Sequence, residues 1–197
     1  MSIIDKLMGF PRLYAAVQNS IAGSMHQEVK ASLSGELPDE SGVDLLDLGC
    51  GVGDYSVLFE HATYTGMDLD ENYIRSALTN YGRAGVTFLA GDATVIPFPD
   101  GRFDYCFSVG LYHHLPDDAV LASLKEALRV AGPGRVIIFD AIYPPHGNGL
   151  GYILRRLDRG KFVRTFAAYE KLLSDHYTVH EISARSAGLL DYIFYRL

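Results

Sequence analysis

The sequence predicts a single α/β domain built on a doubly wound sheet. Short apolar segments of strand length alternate with amphipathic segments of helix length through most of the 197 residues. A glycine-rich turn, Gly49–Gly53, follows the first strongly apolar segment. Two C-terminal apolar segments are separated by only a short turn, which predicts an antiparallel hairpin. Five parallel strands and this hairpin would give a seven-stranded, mostly parallel sheet.

The composition is that of a globular domain. Hydrophobic residues make up 48% and charged residues 21%, and no stretch approaches the roughly 20 apolar residues of a membrane span. Residues 1–12 lack the apolar core of a secretory signal, so we expect a cytoplasmic location and no membrane insertion. The net charge of −7 argues against a nucleic-acid partner. Cys50 and Cys106 are expected as free thiols, no metal site is expected, and the oligomeric state is left open.

The first predicted strand, residues 43–48, runs into the glycine turn. Three glycines in five residues let the backbone adopt positive φ and approach a ligand closely. We expect a helix from Tyr55 to His61, whose first N–H groups would favour a negatively charged ligand group. The dinucleotide pattern requires a sixth-position glycine, and counting from Gly49 that position holds Asp54. The turn therefore predicts a nucleotide-type ligand without the NAD fingerprint.

The second predicted strand, residues 63–68, ends in an acid. Asp68 lies 19 residues after Gly49 and can accept hydrogens from both hydroxyls of a ribose. Asp70 is expected as the N-cap of the next helix.

Three further strands complete the predicted parallel part of the sheet. They are residues 86–90, 103–110 and 135–140, with a helix starting at Asp117 between the last two. Ligands of open α/β sheets bind outside the carboxyl ends of the strands. Residues 108–114 should therefore line a reaction cleft.

The outer segments are expected to cover this core. Residues 1–42 are predicted as an N-terminal helical cap and residues 43–140 as the ligand-binding core. Residues 141–174 are too long for a bare connection and should contain helices over the cleft. Residues 175–197 are predicted as two terminal strands, 177–184 and 189–197. The apolar stripe of the cap consists of Leu13, Ala16, Val17, Ile21 and Met25.

The pattern Asp47-x-Gly49-x-Gly51-x-Gly53 resembles the glycine-rich motif of class I S-adenosylmethionine (SAM)-dependent methyltransferases. Gly91-Asp92-Ala93, Pro97–Phe103 and the segment LKEALRVAGPGRVIIFD, where Ala131-Gly132 replaces the usual Leu-Lys, are also similar to motifs of this family. The resemblance covers residues 43–140. It implies a Rossmann-like fold, SAM as cofactor and transfer of a methyl group to a small-molecule acceptor, with residues 141–174 as the substrate lid.

The resemblance also implies a set of cofactor-binding residues. The glycine loop would hold the methionine part of SAM, Asp68 the ribose, and Asp92 with Ala93 the adenine. The full implied set is Asp47, Gly49, Cys50, Gly51, Gly53, Asp68, Leu69, Asp92, Ala93, Ser108 and Val109.

The cleft and the lid supply candidate acceptor-binding residues. His113 and His114 have the pKa range of a general base, although one could equally pack beneath the cofactor and the other bond to the backbone. Between Arg155 and Lys171, six basic residues against two acidic ones give a local charge of +4. This patch is either a solvated helix face or a clamp for an anionic acceptor. The substrate candidates are Tyr112, Arg155, Arg156 and Arg159, with Arg164 as a further possible clamp residue.

Two other functions stay open on the sequence alone. One is an NAD-dependent oxidoreductase, which Asp54 and the lack of a clear Tyr-x-x-x-Lys pair disfavour. The other is a SAM-binding module without catalytic activity, which the motifs do not distinguish from an enzyme.

Overall fold

The computed structural model describes residues 26–144, 149–156, 160–187 and 190–197. Its centre is one seven-stranded sheet in the order β3-β2-β1-β4-β5-β7-β6. Strands β1 to β5 pair in parallel, and β7 runs antiparallel to both β5 and β6. The predicted fold class is confirmed. The strands are β1 Asp44–Leu48, β2 Thr63–Asp68, β3 Val86–Ala90, β4 Tyr105–Val109, β5 Val136–Ile142, β6 Glu181–Ala187 and β7 Leu190–Arg196.

Helices cover both faces of the sheet. The helices α1 (residues 26–36) and α2 (Glu71–Tyr81) pack on one face, and α3 (Asp117–Ala131) and α5 (Phe166–Ser174) pack on the other. Successive residues of a strand point to opposite faces of the sheet. Leu45 therefore lies in the hydrophobic core beneath α1 and α2, and Leu46 lies in the core beneath α3 and α5. Burial on both faces explains why the central strands β1, β4 and β5 are mostly apolar. A further helix, α4, spans Gly149–Arg156.

Side-chain caps define two of the helix starts. The Asp70 carboxylate accepts the N–H of Asn72 at 2.8 Å, which confirms its predicted N-cap role. Thr165 caps α5 by accepting the N–H of Ala168. The predicted cap stripe, Leu13 to Met25, lies outside the described residues. No helix in the described ranges is both long and apolar enough to cross a bilayer.

The prediction of a helix from Tyr55 to His61 is wrong. This segment forms only a 3-10 turn, Ser56–Leu58. The Asp39 carboxylate accepts the N–H groups of residues 60, 61 and 62 at 3.1, 2.8 and 2.9 Å, and Arg83 donates to the carbonyls of Ser56 and Phe59. Side chains distant in sequence thus bind the groups that an α-helix would pair internally. The expected attraction of a helix N-terminus for an anion is absent here.

The C-terminal hairpin is confirmed, but its first strand starts at Glu181 instead of Tyr177. The N–H groups of His176 and Tyr177 donate to the carbonyl of Leu173, so these residues close α5. The Tyr177 hydroxyl donates to the carbonyl of Leu121 in α3 at 2.7 Å. Residues 176 and 177 are therefore bound to helices and unavailable to the sheet.

Candidate active site

The three glycines of the loop after β1 have different surroundings. All three adopt positive φ, at 73° for Gly49, 54° for Gly51 and 82° for Gly53. A Cβ on Gly53 would lie 2.6 Å from the Phe88 ring, and one on Gly49 would lie 3.0 Å from the Leu111 side chain. A Cβ on Gly51 would meet no atom within 4 Å. Gly49 and Gly53 thus permit close packing, whereas Gly51 faces open space where a ligand can approach.

The loop is fastened to the end of β2. The N–H groups of Gly49 and Cys50 donate to the carbonyl of Met67 at 2.8 and 3.1 Å. The N–H of Gly51 donates to Asp68 Oδ2 at 2.9 Å. The loop and the acidic end of β2 therefore form one rigid corner.

Asp47 lies buried beneath this corner. The Tyr64 hydroxyl donates to its Oδ2 at 2.5 Å, and its Oδ1 is buried without a hydrogen-bond partner among the described residues. Burial raises the pKa of Asp47 to about 7, the Tyr64 hydrogen bond opposes that rise, and the negative charges of Asp54 and Asp68 add to it. An unpaired buried carboxylate oxygen marks a place where a ligand donor would be stabilising.

The corner also carries polar and apolar groups suited to a nucleoside. Asp68 is half-buried; besides Gly51, it accepts the N–H of Asp70 at 2.9 Å. Each carboxylate oxygen has a second lone pair, so Asp68 can still accept from ribose hydroxyls. Leu69 is 75% exposed at the end of β2 and Val95 is 70% exposed beyond β3, an unusual position for large apolar side chains.

The predicted adenine residues follow β3. Asp92 is exposed, and its Oδ1 accepts both the N–H and the hydroxyl of Thr94 at 2.8 Å. Ala93 is half-buried beside it. The fold thus brings the ends of β1, β2 and β3 together, as the sequence predicted.

Cys50 and Ser108 turn their side chains inward. Ser108 is buried, and its hydroxyl donates to the carbonyl of Leu48 at 2.8 Å, which joins β4 to β1. The Cys50 thiol is buried, and burial together with nearby Asp47 and Asp68 raises its pKa well above the ordinary value. Both cysteines are free and buried, as expected. A ligand on this loop can reach Cys50 and Ser108 only through their backbone atoms.

A cavity of about 190 Å³ opens at the carboxyl ends of β4 and β5. It adjoins the glycine loop, because Val109 and Gly110 line it and the next residue, Leu111, packs against Gly49. Among the described residues, those that line it are Val29, Val109, Gly110, His113, Phe139, Asp140, Ala141, Arg155 and Tyr192.

Helix α1 borders both the loop and the cavity. Val29 lines the cavity, while His26 Nδ1 lies 3.1 Å from the Tyr55 hydroxyl. His26 Nε2 lies 2.7 Å from Asp54 Oδ2. Residues 26–36 thus cover one side of the site.

His113 is held in the cavity wall by a buried acid. Its Nδ1 lies 2.6 Å from Asp140 Oδ1, and the Tyr169 hydroxyl donates to Asp140 Oδ2. All three residues are buried, whereas the neighbouring His114 is exposed with its ring centre 4.1 Å from that of His113. Burial and the adjacent Asp140 raise the pKa of Tyr169 well above its ordinary value, so its hydroxyl keeps its proton. The structure thus places only His113 of the two predicted histidines in the cavity wall.

Sequence reasoning missed Asp140 and Tyr169 as site residues. Asp140 carried a detectable signal, because it is an acid near the carboxyl end of an apolar strand, as Asp47 and Asp68 are. Tyr169 carried no such signal, since it lies 29 residues after Asp140 in the chain, in helix α5.

Two substrate candidates are corrected by the structure. Tyr112 is fully buried in the core beneath α3, where its hydroxyl lies 3.3 Å from that of Ser123, and it does not line the cavity. Residues of a 3-10 turn point about 120° apart, so the turn Tyr112–His114 sends Tyr112 and His113 in different directions.

Arg164 is also unavailable as an anion clamp. Its five N–H groups are all used, twice by Asp117 Oδ1 and once each by the carbonyls of Tyr112, Leu115 and Phe162. This side chain fastens the His113 turn to the segment before α5.

The other basic candidates have different surroundings. Arg155 is buried in the cavity wall, and its Nε and Nη2 donate to the carbonyls of Ile142 and Asp191 at 3.2 and 2.8 Å. Arg156 ends α4, but its side chain and the whole of Arg159 lie outside the described residues.

Comparison with known proteins identifies the family. Residues 46–139 match the model of the family described as "Methyltransferase domain". The chain is 36% identical over 144 residues to a fatty-acid O-methyltransferase of Mycolicibacterium smegmatis, covering 71% of this chain and 50% of that protein. It is 31% identical over 166 residues to the 27-O-demethylrifamycin SV methyltransferase of Amycolatopsis mediterranei, covering 80% and 57%. The chain thus spans only about half the length of these curated relatives.

A solved structure supports the same assignment at the level of the fold. A SAM-dependent methyltransferase from Aquifex aeolicus aligns with a TM-score of 0.64 at 21% identity, covering 85% of this chain and 88% of that one. The matched region contains the glycine loop and the acidic strand ends. The chain belongs to the class I SAM-dependent methyltransferases, a family of enzymes whose cofactor is SAM.

Proposed function

We propose that this chain transfers the methyl group of SAM to a small-molecule acceptor bound in the cavity beside His113. One observation carries the proposal: the cavity and the glycine loop meet at the end of β4, where Leu111 packs on Gly49 and Val109 lines the cavity. A donor on the loop and an acceptor in the cavity would therefore be neighbours.

The residues present at the β1–β3 corner fit SAM. Open space above Gly51 admits the ligand, and the unpaired Oδ1 of Asp47 lies beneath the loop. Asp68 would hold the ribose, while Leu69 and Val95 offer apolar contacts for the adenine with Asp92 and Ala93 beside it. When bound, SAM supplies an electrophilic methyl group on a positively charged sulfur.

The main contribution of the chain would be alignment. Holding donor and acceptor in line can contribute up to roughly 7 to 11 kcal/mol to a bimolecular reaction. The rigid corner formed by Gly51 and Asp68 fixes one side, and β5 with α4 encloses the other through Ala141 and Arg155. We accordingly assign residues 43–140 as the SAM-binding core and residues 141–174, which begin with the last two residues of β5, as a lid over the acceptor. Residues 175–197 form the terminal segment that contains β6 and β7.

Two relatives favour oxygen as the methylated atom. The names of the two relatives described above specify methylation at oxygen, on a fatty acid in one and a rifamycin in the other. Both act on small molecules rather than on nucleic acid. We extend the oxygen and small-molecule preference to this chain, without the particular substrate.

Thermal unfolding in the presence of SAM, its demethylated product S-adenosylhomocysteine or NAD tests the cofactor half of the proposal. Ligand at 100 times its dissociation constant stabilises the folded protein by about 2.7 kcal/mol. We expect stabilisation by both SAM forms, none by NAD, and a weaker effect in Asp68→Ala. Stabilisation by NAD alone would contradict the proposal.

A further inference from the structure

We infer that Tyr192 binds the acceptor, and that the acceptor carries one aromatic ring with a polar substituent to which the Tyr192 hydroxyl hydrogen-bonds. The inference rests on the proposed function and names the substrate class of the same site. Tyr192 lies in β7, a segment in which the sequence suggested no ligand-binding residue.

The Tyr192 hydroxyl has no hydrogen-bond partner among the residues that the structure describes. Tyr192 lines the cavity and is only 4% exposed. The fully shielded polar atoms that lack a partner in the described ranges are Asp47 Oδ1, Ser183 Oγ, Tyr195 Oη and Arg196 Nε, and the Tyr192 hydroxyl is not one of them. This hydroxyl therefore keeps a small contact with open space, which we place on the cavity side. Because polar groups in buried sites are normally hydrogen-bonded, a bound acceptor is the partner that it lacks.

The other polar side chains of the described cavity wall are already engaged with the protein. His113 Nδ1 lies 2.6 Å from Asp140 Oδ1, and Asp140 Oδ2 accepts from the Tyr169 hydroxyl. Arg155 donates to two backbone carbonyls. The Tyr192 hydroxyl differs from these groups, because it can donate to a ligand or accept from one without breaking a contact within the described residues.

Two adjacent aromatic rings form the part of the wall that β5 and β7 supply. The ring centres of Phe139 and Tyr192 are 5.9 Å apart, with the ring planes tilted by 44°. Phe139 also packs on Phe194, whose ring centre is 5.0 Å away, so the Phe139 ring is held in place. Aromatic rings in offset or edge-to-face contact attract each other beyond the effect of the area that they bury. A ring of the acceptor would extend this group of rings.

The size of the cavity favours a single ring. The wall is completed by the apolar side chains of Val29, Val109 and Ala141. A cavity of about 150 Å³ lined by apolar side chains accommodates benzene, so about 190 Å³ suits one ring with a short substituent.

The strand order determines which end of the acceptor Tyr192 would hold. Strand β5 separates β7 from β4, and neighbouring strands lie about 4.8 Å apart, so β7 is about 10 Å from β4. Val109 and Gly110, at the end of β4, adjoin the glycine loop, whereas Tyr192 lies on the far side of the cavity. The substituent bound by Tyr192 is therefore remote from the atom that receives the methyl group. Tyr192 thus acts on the affinity and orientation of the acceptor.

Two ligands and two variants test the hydrogen bond. Dissociation constants of phenol and toluene, which place a hydroxyl or a methyl group on the same ring, are measured by NMR titration of the full chain with S-adenosylhomocysteine present. We expect the preference for phenol over toluene to fall about three- to tenfold in Tyr192→Phe, the loss of one hydrogen bond. The control Tyr195→Phe removes a buried hydroxyl from the same strand outside the cavity and should leave the preference unchanged. An unchanged preference in Tyr192→Phe, or an equal fall in Tyr195→Phe, would overturn the role of Tyr192.

A saturated ring and a filled cavity test the substrate class and the place of binding. We expect the wild type to bind phenol about threefold more tightly than cyclohexanol because of the aromatic wall. Ala141→Leu should weaken binding of all three compounds by about tenfold or more, because the larger side chain occupies the cavity. Val29→Phe fills the same cavity from α1 and serves if Ala141→Leu does not fold. Tighter binding of cyclohexanol, undiminished binding to a folded cavity-filled variant, or no binding of any of the three compounds to the wild type would contradict the inference.

Thermal unfolding with SAM separates this inference from the proposed function. If SAM stabilises the protein and the phenol preference does not depend on Tyr192, the role of Tyr192 is rejected and the proposed function stands. If SAM does not stabilise the protein, both fail.

Discussion

Substituting alanine at Gly51 and at Gly53 should separate ligand binding from stability within one loop. Both residues adopt positive φ, so a side chain costs about 1 to 2 kcal/mol of backbone strain at either position. At Gly53 the new Cβ would also lie 2.6 Å from the Phe88 ring and 2.9 Å from Ala77 Cβ. Overpacking of this kind costs about 1 to 3 kcal/mol. We expect Gly53→Ala to lose about 2 to 5 kcal/mol and Gly51→Ala about 1 to 2 kcal/mol.

The binding effects should differ in the opposite sense. The Cβ of Gly51→Ala meets no protein atom and would occupy the space open to SAM. We expect this variant to stay folded and to bind SAM at least tenfold more weakly. Urea unfolding measures the stabilities, and calorimetric titration of SAM measures the affinities. The reasoning fails if Gly51→Ala binds SAM as the wild type does, or if Gly53→Ala is as stable as the wild type.

Three further variants test the electrostatic and capping contacts. The pKa of Asp47 in the folded protein is about 7 against an ordinary 3.8, so the folded state keeps this proton up to a higher pH than the unfolded chain does. The free energy of unfolding should therefore fall between about pH 4 and pH 7, by on the order of 4 kcal/mol. In a urea series across this range, Asp47→Asn should remove that part of the pH dependence, and an unchanged pH dependence would contradict the reasoning. Arg164→Met should lower the free energy of unfolding in urea by about 3 kcal/mol, because it leaves buried carbonyls unpaired. The control Arg102→Met removes a half-exposed ion pair and should lower it by less than about 1 kcal/mol. Equal losses in the two variants would be inconsistent with this account. Thr165→Ala removes the cap of α5 and should cost about 1 kcal/mol, with Thr79→Ala, whose hydroxyl bonds only to its own helix, as the milder control.

Local pattern was sufficient to predict the sheet and the cofactor corner. The central strands β1, β4 and β5 are buried on both faces and are therefore mostly apolar. The glycine turn ends β1 directly, and Asp68 ends β2. Asp70 was predictable because an N-cap depends on residues adjacent in sequence. The same locality explains the hairpin.

The errors arise where distant residues decide the local structure. Asp39 takes the N–H groups that a helix after the glycine loop would need, and it precedes them by about twenty residues. The sequence suggests Arg164 as a possible clamp residue because it does not reveal the partners of this side chain. Those partners lie almost fifty residues earlier in the chain. The pairing of His113 with Asp140 and Tyr169 joins three elements and depends on the folded packing. Sequence spacing contains none of these contacts.

The most direct test of the central claim follows the methyl group itself. The chain is incubated with methyl-labelled SAM and an extract of small metabolites, and label is sought in extractable organic products. We expect label to move into such a product with the wild-type chain. Binding of SAM with no movement of label into any product would contradict the proposed function and indicate a non-catalytic SAM-binding module.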